Sequence, residues 1–493
     1  MLIDTLVPGS MSPMTEQPPR FHRMSLERFN AFALWSWDQE MHDQLAIGSC
    51  WSTHDERILT AVLHHRETRQ FWLTALARDS AGRYRGFTRS GPYPTARVAE
   101  DIMSDHRSET LAHAQPDFTN FPRLRDGIDL FASQTLQHAL HPAYLVLRDG
   151  PNQSAARAML AELARWFPDQ DGNFVKDYQT TGYSARTWEL YLFACMRALG
   201  FDVGSEHAVP DFSLSKGEAR IFVEAVTANG PDTMTSAMAS GAPEGPPEDF
   251  WRFIEEDMPL KFGSPLYSKM KKRYWEAPHV RGHPFVLAIA DFHAPGSMVW
   301  SHTAIPIYLY GTSATVTTDT DGRRAGIEKS VSGWTSGTKT VSEPFFWQPD
   351  TEHVSAVLFS NAGTVSKFNR MGVRAGLGDR FVSLLRKGGL SDPHPGAFDP
   401  IPFDIDVESP DYREDWADEL EMYHNPNALR PINEALFPGM VHFRIENGEG
   451  IWRGPSPRVL FSRTTTIDFL GDEVRAKLED EGKDGGLLGR LAR

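Results

Sequence analysis

The sequence predicts an α/β (α+β) chain of several domains, on three observations. At 493 residues the chain is too long for one ordinary domain, and ~100–200 residues per domain gives two to four. With 40% hydrophobic and 23% charged residues, it is globular. Between residues 180 and 312, runs with helical period alternate with runs of strand length.

Residues 1–24 carry Pro8, Pro13, Pro18 and Pro19 and lack a basic start followed by an apolar core, so a flexible lead-in is expected rather than a secretory signal. Residues 25–115 read as a small α+β domain. Ser25 can cap a helix from Leu26 to Trp37, Ile58–His64 and Gln70–Ala77 are strand-like around a polar turn, and a helix starts at Val98. The adjacent His64 and His65 point to opposite strand faces, which makes them strand and turn residues rather than a ligand pair. Residues 116–179 form a helical connector, with helices at Gly127–Leu140 and Ser154–Phe167 parted by Gly150–Pro151–Asn152.

Residues 180–312 are the most informative. A helix runs from Ser184 to Leu199 and stops at Gly200, with Trp188, Leu192, Cys195, Met196 and Leu199 on its apolar stripe. Val209–Leu214 and Ile221–Val226 make a hairpin, followed by a Gly/Pro/Met/Ser-rich loop at 229–247. A second helix is expected from Ser264 as cap, with Pro265 in its first turn, to about Glu276. Phe285–Ala290 and Ile305–Tyr310 are read as strands. Residues 313–478 form a C-terminal α/β extension. It holds a strand at Val354–Phe359, a glycine-rich basic turn region at Asn361–Gly378 and a solvated acidic stretch at Asp404–Glu421. Residues 479–493 are a polar, flexible tail.

Charge and cysteine content exclude several functions. A net charge of −15 rules out a body coated in basic surface, though not a local basic groove. The twelve lysines are uneven: none precedes Lys176, and four fall between Lys261 and Lys272. Cys50 and Cys195 alone cannot build a disulfide framework or a cysteine zinc site, which suits a reducing, cytoplasmic compartment. No apolar run of ~18 residues is present to cross a membrane.

Three carboxylates stand at distinctive places: Glu189 in the first helix, Asp211 opening one strand, and Glu224 late in the next. Pro210–Asp211 is followed, thirteen residues on, by Glu224–Ala225–Val226. This order and spacing resemble the PD-(D/E)XK nucleases, the restriction-endonuclease-like fold, over about 110–130 residues. The resemblance implies an αβββαβ core that hydrolyses phosphodiester bonds of nucleic acid, DNA favoured, with Mg²⁺ or Mn²⁺. It implies metal ligands Glu189, Asp211, Glu224 and the Ala225 carbonyl. By analogy it also implies a role in genome defence or DNA processing, as a homo-oligomer or with a partner protein.

The sequence departs from the family at one point. The family's lysine belongs two residues after Glu224, and Val226 stands there. Either the lysine has moved to another element, or the fold is catalytically inactive and serves as a nucleic-acid-binding or scaffold module. Lys269, on the flank of the second helix, is the candidate for a relocated catalytic lysine beside Asp211 and Glu224. Residues 261–281 carry a net +5, which offers Lys261, Lys271, Lys272 and Arg273 to a phosphate backbone. Residues 367–387 also carry +5, making Lys367 and Arg370 a second expected contact. His424–Asn425–Pro426–Asn427, with His442 downstream, is read as ordinary turn chemistry without a metal-binding partner.

Overall fold

The computed structural model describes residues 21–471, apart from 105, 122–123, 125–126, 171, 205, 231–247, 295, 319–323, 395–396 and 398. Residues 1–20 of the expected 1–24 lead-in, most of the loop at 229–247 and the tail at 479–493 lie outside the described residues, whereas His22–Met24 of that lead-in form a strand. The chain divides into two compact units.

One unit combines Met1–Leu26 with Gln44–Arg123. Its strands β1 (His22–Met24), β2 (Leu45–Ser52), β3 (Ile58–His65), β4 (Phe71–Arg78) and β5 (Tyr84–Tyr93) form an antiparallel meander. The helix Ala96–Asp101, capped by the Thr95 hydroxyl, packs Ala99 and Ile102 onto Val62 and Leu73. His64 stacks on Phe71 at 4.8 Å and His65 lies 6.0 Å from Trp72, so the two rings serve packing.

The other unit combines Glu27–Asp43 with Leu124–Arg493. In chain order its main elements are α1 (Ser154–Ala164), α2 (Tyr183–Ala198), β6 (Asp202–Gly204), β7 (Phe212–Lys216), β8 (Ala219–Asn229), α3 (Met258–Met270) and β9 (Phe285–Phe292). These are followed by β10 (Ala356–Phe359), α4 (Val365–Arg374), β11 (Glu421–His424), β12 (Val441–Glu446) and β13 (Glu449–Arg453). One eight-stranded sheet runs β13-β12-β11-β10-β9-β8-β7-β6. The β6–β7–β8 pairs are antiparallel, whereas β8–β9 and β9–β10 are parallel. Residues after 313, expected as an extension, complete the same sheet as the core strands.

Strand alternation assigns the two faces. Val223 and Ala225 of β8 and Val286 and Ala288 of β9 join the cluster that holds Trp188, Leu192 and Met196 of α2. The Trp188 indole donates to the Ala288 carbonyl at 3.0 Å, which pins α2 to β9. Phe222, Leu287 and Ile289 point the other way, onto Phe262, Leu266 and Met270 of α3. Fully burying Leu266 stabilises this docking by ~1.5–3 kcal/mol. The sheet is thus sandwiched between helices, with Glu224 and Val226 on the α3 face by parity.

Several expectations are corrected. The second helix begins at Met258 with Pro259 in its first turn, contains Pro265, and ends at Met270, so Lys271 and Lys272 lie beyond it. Residues 304–310 form a helix, not a strand. All of them but Pro306 are buried, which erases the helical period, and Gly311 at φ +72 ends it. The region 361–378 contains α4 rather than turns. Gly372 is there for close packing, because a Cβ would meet the Ala155 carbonyl oxygen of α1 at 2.5 Å. Residues 127–140 hold only a short 3₁₀ turn at Gln137–Ala139. The acidic stretch 404–421 is not uniformly solvated, since Glu414 and Glu421 are buried. Among the described residues, no helix is long and apolar enough to cross a membrane.

Candidate active site

The β7–β8 ladder closes at Phe212 opposite Val223, and beyond that pair the strands part. Asp211 turns into the gap. Its backbone N–H donates to Glu224 Oε2 at 3.2 Å, and its own Oδ2 accepts from the Ala225 N–H at 2.7 Å. Each motif carboxylate therefore accepts from a backbone N–H across the gap, Glu224 from Asp211 and Asp211 from Ala225. The Glu224 side chain is only 2% exposed, and Lys269 Nζ of α3 donates to its Oε1 as an ion pair. Position 226 is filled by packing, because Val226 rests against the α3-side core.

Electrostatics follow from burial and crowding. Burial, and next the charge of Asp211, push the Glu224 carboxyl up to about 7, with Lys269 working against both. Burial is the largest influence on Lys269 and would lower it, but the charge and hydrogen bond of Glu224 together with the charge of Asp211 outweigh it, and the ammonium is held above its usual range. Burial and Asp211 likewise push Glu189 up to about 8. Carboxyls raised by a neighbouring carboxylate in this way are relieved by a cation.

Glu189 is held differently from the other two. Arg186 donates to both of its oxygens, at 3.1 and 2.9 Å, and also to Asp177 at 2.8 Å. Among the described residues, Glu189, Asp211 and Glu224 are not one of the groups whose ligand atoms all lie within 4.8 Å of one another. The structure thus brings together Asp211, Glu224, Ala225 and Lys269, and leaves Glu189 in an arginine pair. Sequence reasoning missed Arg186, although its i−3 position on the same helix was a readable signal.

The basic residues divide. Lys261, Lys271 and Lys272 are exposed, with Lys271 Nζ 4.5 Å from the centre of the Tyr267 ring. Arg273 is engaged by Glu276 at 2.8 Å and Asp350 at 2.7 Å, which cancels its charge toward a phosphate. Lys367 and Arg370 are corrected outright. Both are buried on α4 and meet Glu414 at 2.8 and 2.7 Å. Burial alone would raise Glu414, but Arg370 and Lys367 hold it well below the usual carboxylate range. These two cations brace the core and face no solvent.

No protein-family model, curated protein or solved structure matches this chain.

Proposed function

We propose that the chain is a metal-dependent nuclease in which Lys269 of α3 replaces the strand lysine of the PD-(D/E)XK pattern. The observation that carries this reading is the Lys269–Glu224 ion pair beside Asp211, at the point where β7 and β8 part. Asp211, Glu224 and the Ala225 carbonyl are the residues that would hold Mg²⁺ or Mn²⁺, hard ions that take oxygen ligands. Such an ion supplies charge neutralisation on the phosphate and an acidified water. Lys269 holds its ammonium where negative charge develops on the attacking oxygen, and Asp211 and Glu224 keep that oxygen oriented. Lys261, Lys271 and Lys272 supply sequence-independent attraction for the backbone of the nucleic acid.

The test is cleavage of plasmid, linear duplex, single-stranded DNA and RNA with Mg²⁺ or Mn²⁺, beside Glu224→Gln and Lys269→Met. Metal-dependent cleavage lost in both variants supports the proposal; cleavage that survives them refutes it.

A second reading, an inactive nuclease fold that binds nucleic acid, is favoured by Val226 in the core and by Glu189 paired to Arg186. It predicts salt-dependent binding without cleavage.

A further inference from the structure

The histidines of the 424–427 and 442 region acquire a partner that the sequence did not offer. β11 and β12 are parallel neighbours, with Met422 opposite His442, so His424 and His442 project from the same sheet face. His424 Nε2 lies 3.0 Å from His442 Nδ1 and 3.9 Å from Oε1 of Glu434, which comes from the crossover between the strands. The three ligand atoms all lie within 4.8 Å of one another. Asn425 does the turn work: its amide donates to the Thr351 and Val354 carbonyls at 2.8 Å each, fixing the backbone that carries His424. His442 Nε2 faces the Phe437 carbonyl at 3.4 Å, which leaves Nδ1 with its lone pair toward the cluster. His424 is 3% exposed, and its Nδ1 has no hydrogen-bond partner.

We propose that His424, His442 and Glu434 form a binding site for a divalent transition-metal ion of the zinc class, separate from the Asp211–Glu224 centre. Two imidazoles and one carboxylate suit Zn²⁺ rather than Mg²⁺, which takes oxygen ligands. Bonds of ~2.0–2.1 Å in a tetrahedron put ligand atoms ~3.3 Å apart, so closure needs only small side-chain shifts. The fourth position belongs to water, reached from the side where Glu434 is 22% exposed. β11 stands three strands from β8, roughly 14 Å at the usual strand spacing.

One group competes with the ion. Arg444 Nε donates to Glu434 Oε1, and Arg453 Nη1 lies 3.7 Å from the same oxygen. The ion takes the place of Arg444 on Glu434, so the arginine lowers its affinity.

The test is a Co²⁺ titration of full-length, chelator-treated protein carrying Asp211→Asn and Glu224→Gln. One equivalent should give the visible bands of a four-coordinate ion, displaced by stoichiometric Zn²⁺ and untouched by excess Mg²⁺. His424→Ala and His442→Ala should abolish the bands. Glu434→Gln, at a partly exposed position that spares the fold, should weaken binding at least ~10-fold. Arg444→Met should tighten it by on the order of threefold or more, a gain that loss of a merely structural ion pair does not produce. No stoichiometric bands, bands unchanged in Glu434→Gln, or weaker binding in Arg444→Met would each overturn the proposal.

Discussion

Lys269→Met isolates the central pair. The substitution keeps the length of the side chain along α3 and removes the ammonium from Glu224, whose side chain is 2% exposed. Breaking a buried pair by deleting one partner costs ~3–5 kcal/mol. The cost here is smaller, because Lys269 is 22% exposed and the orphaned carboxyl can take up a proton. The Glu224 carboxyl already sits above its ordinary 4.5, at about 7, and loss of the ammonium raises it further. Between 4.5 and about 7 the folded parent and the folded variant both hold Glu224 protonated, so the penalty of the substitution appears as pH rises through about 7 and is absent well below it. Each unit by which the carboxyl is raised further costs ~1.4 kcal/mol once it must ionise, which gives an expected loss of about 1–2 kcal/mol at pH 8 and almost none at pH 5. Urea denaturation at the two pH values measures it. Adding Glu224→Gln should restore stability at pH 8. Equal losses at both pH values, or no restoration in the double variant, would refute the ion-pair reasoning.

Asp211→Asn should lower metal-dependent cleavage by at least ~10²-fold while leaving the fold intact by circular dichroism, since its loss removes transition-state charge stabilisation. Val226→Lys combined with Lys269→Met should recover part of the activity, because Val226 shares a strand face with Glu224; single-turnover rates of single and double variants decide this. Lys271→Ala with Lys272→Ala should reduce the slope of log binding constant against log salt by ~1.8 on duplex DNA, the release of two counterions. Arg370→Met should cost roughly 1–3 kcal/mol of stability by removing the bidentate partner of the buried Glu414, which keeps Lys367 at 2.8 Å, with the salt slope of the folded protein unchanged, as separate denaturation and binding measurements would record.

The part of the fold legible in the sequence is the part where local pattern and tertiary role agree. Trp188, Leu192 and Met196 marked α2 by their helical spacing, although residues 187–196 are all buried, and Gly200 marked its end. Asp211 and Glu224 were readable by spacing, since a short hairpin fixes which residues oppose each other. The illegible parts are where burial has no period or where charge is buried. Residues 304–310 are apolar on nearly every side and carry no helical signature. On α4 Lys367, Asn369 and Arg370 are buried beside Phe368 and Gly372, so composition pointed to a surface that is in fact core. Pro265 pointed to a helix start, but it lies inside a helix that is entered through the helical turns at Phe250–Arg252 and Phe253–Asp257. The clustering of His424, Glu434 and His442 depends on β11 and β12 lying side by side, which no local window contains.

The reach of Lys269 has a temporal meaning. A lysine on β8 would stand beside Glu224 as soon as that strand formed. One carried by α3 arrives only when Phe262, Leu266 and Met270 seat on the sheet and Gly263 slides under Tyr308, where a Cβ would come to 3.1 Å of the hydroxyl. On the nuclease reading, a nascent or partly unfolded chain then carries its acidic residues without the matching cation. On the same reading, cleavage of cellular nucleic acid would wait on the docking of α3, a safety catch built from the order of assembly.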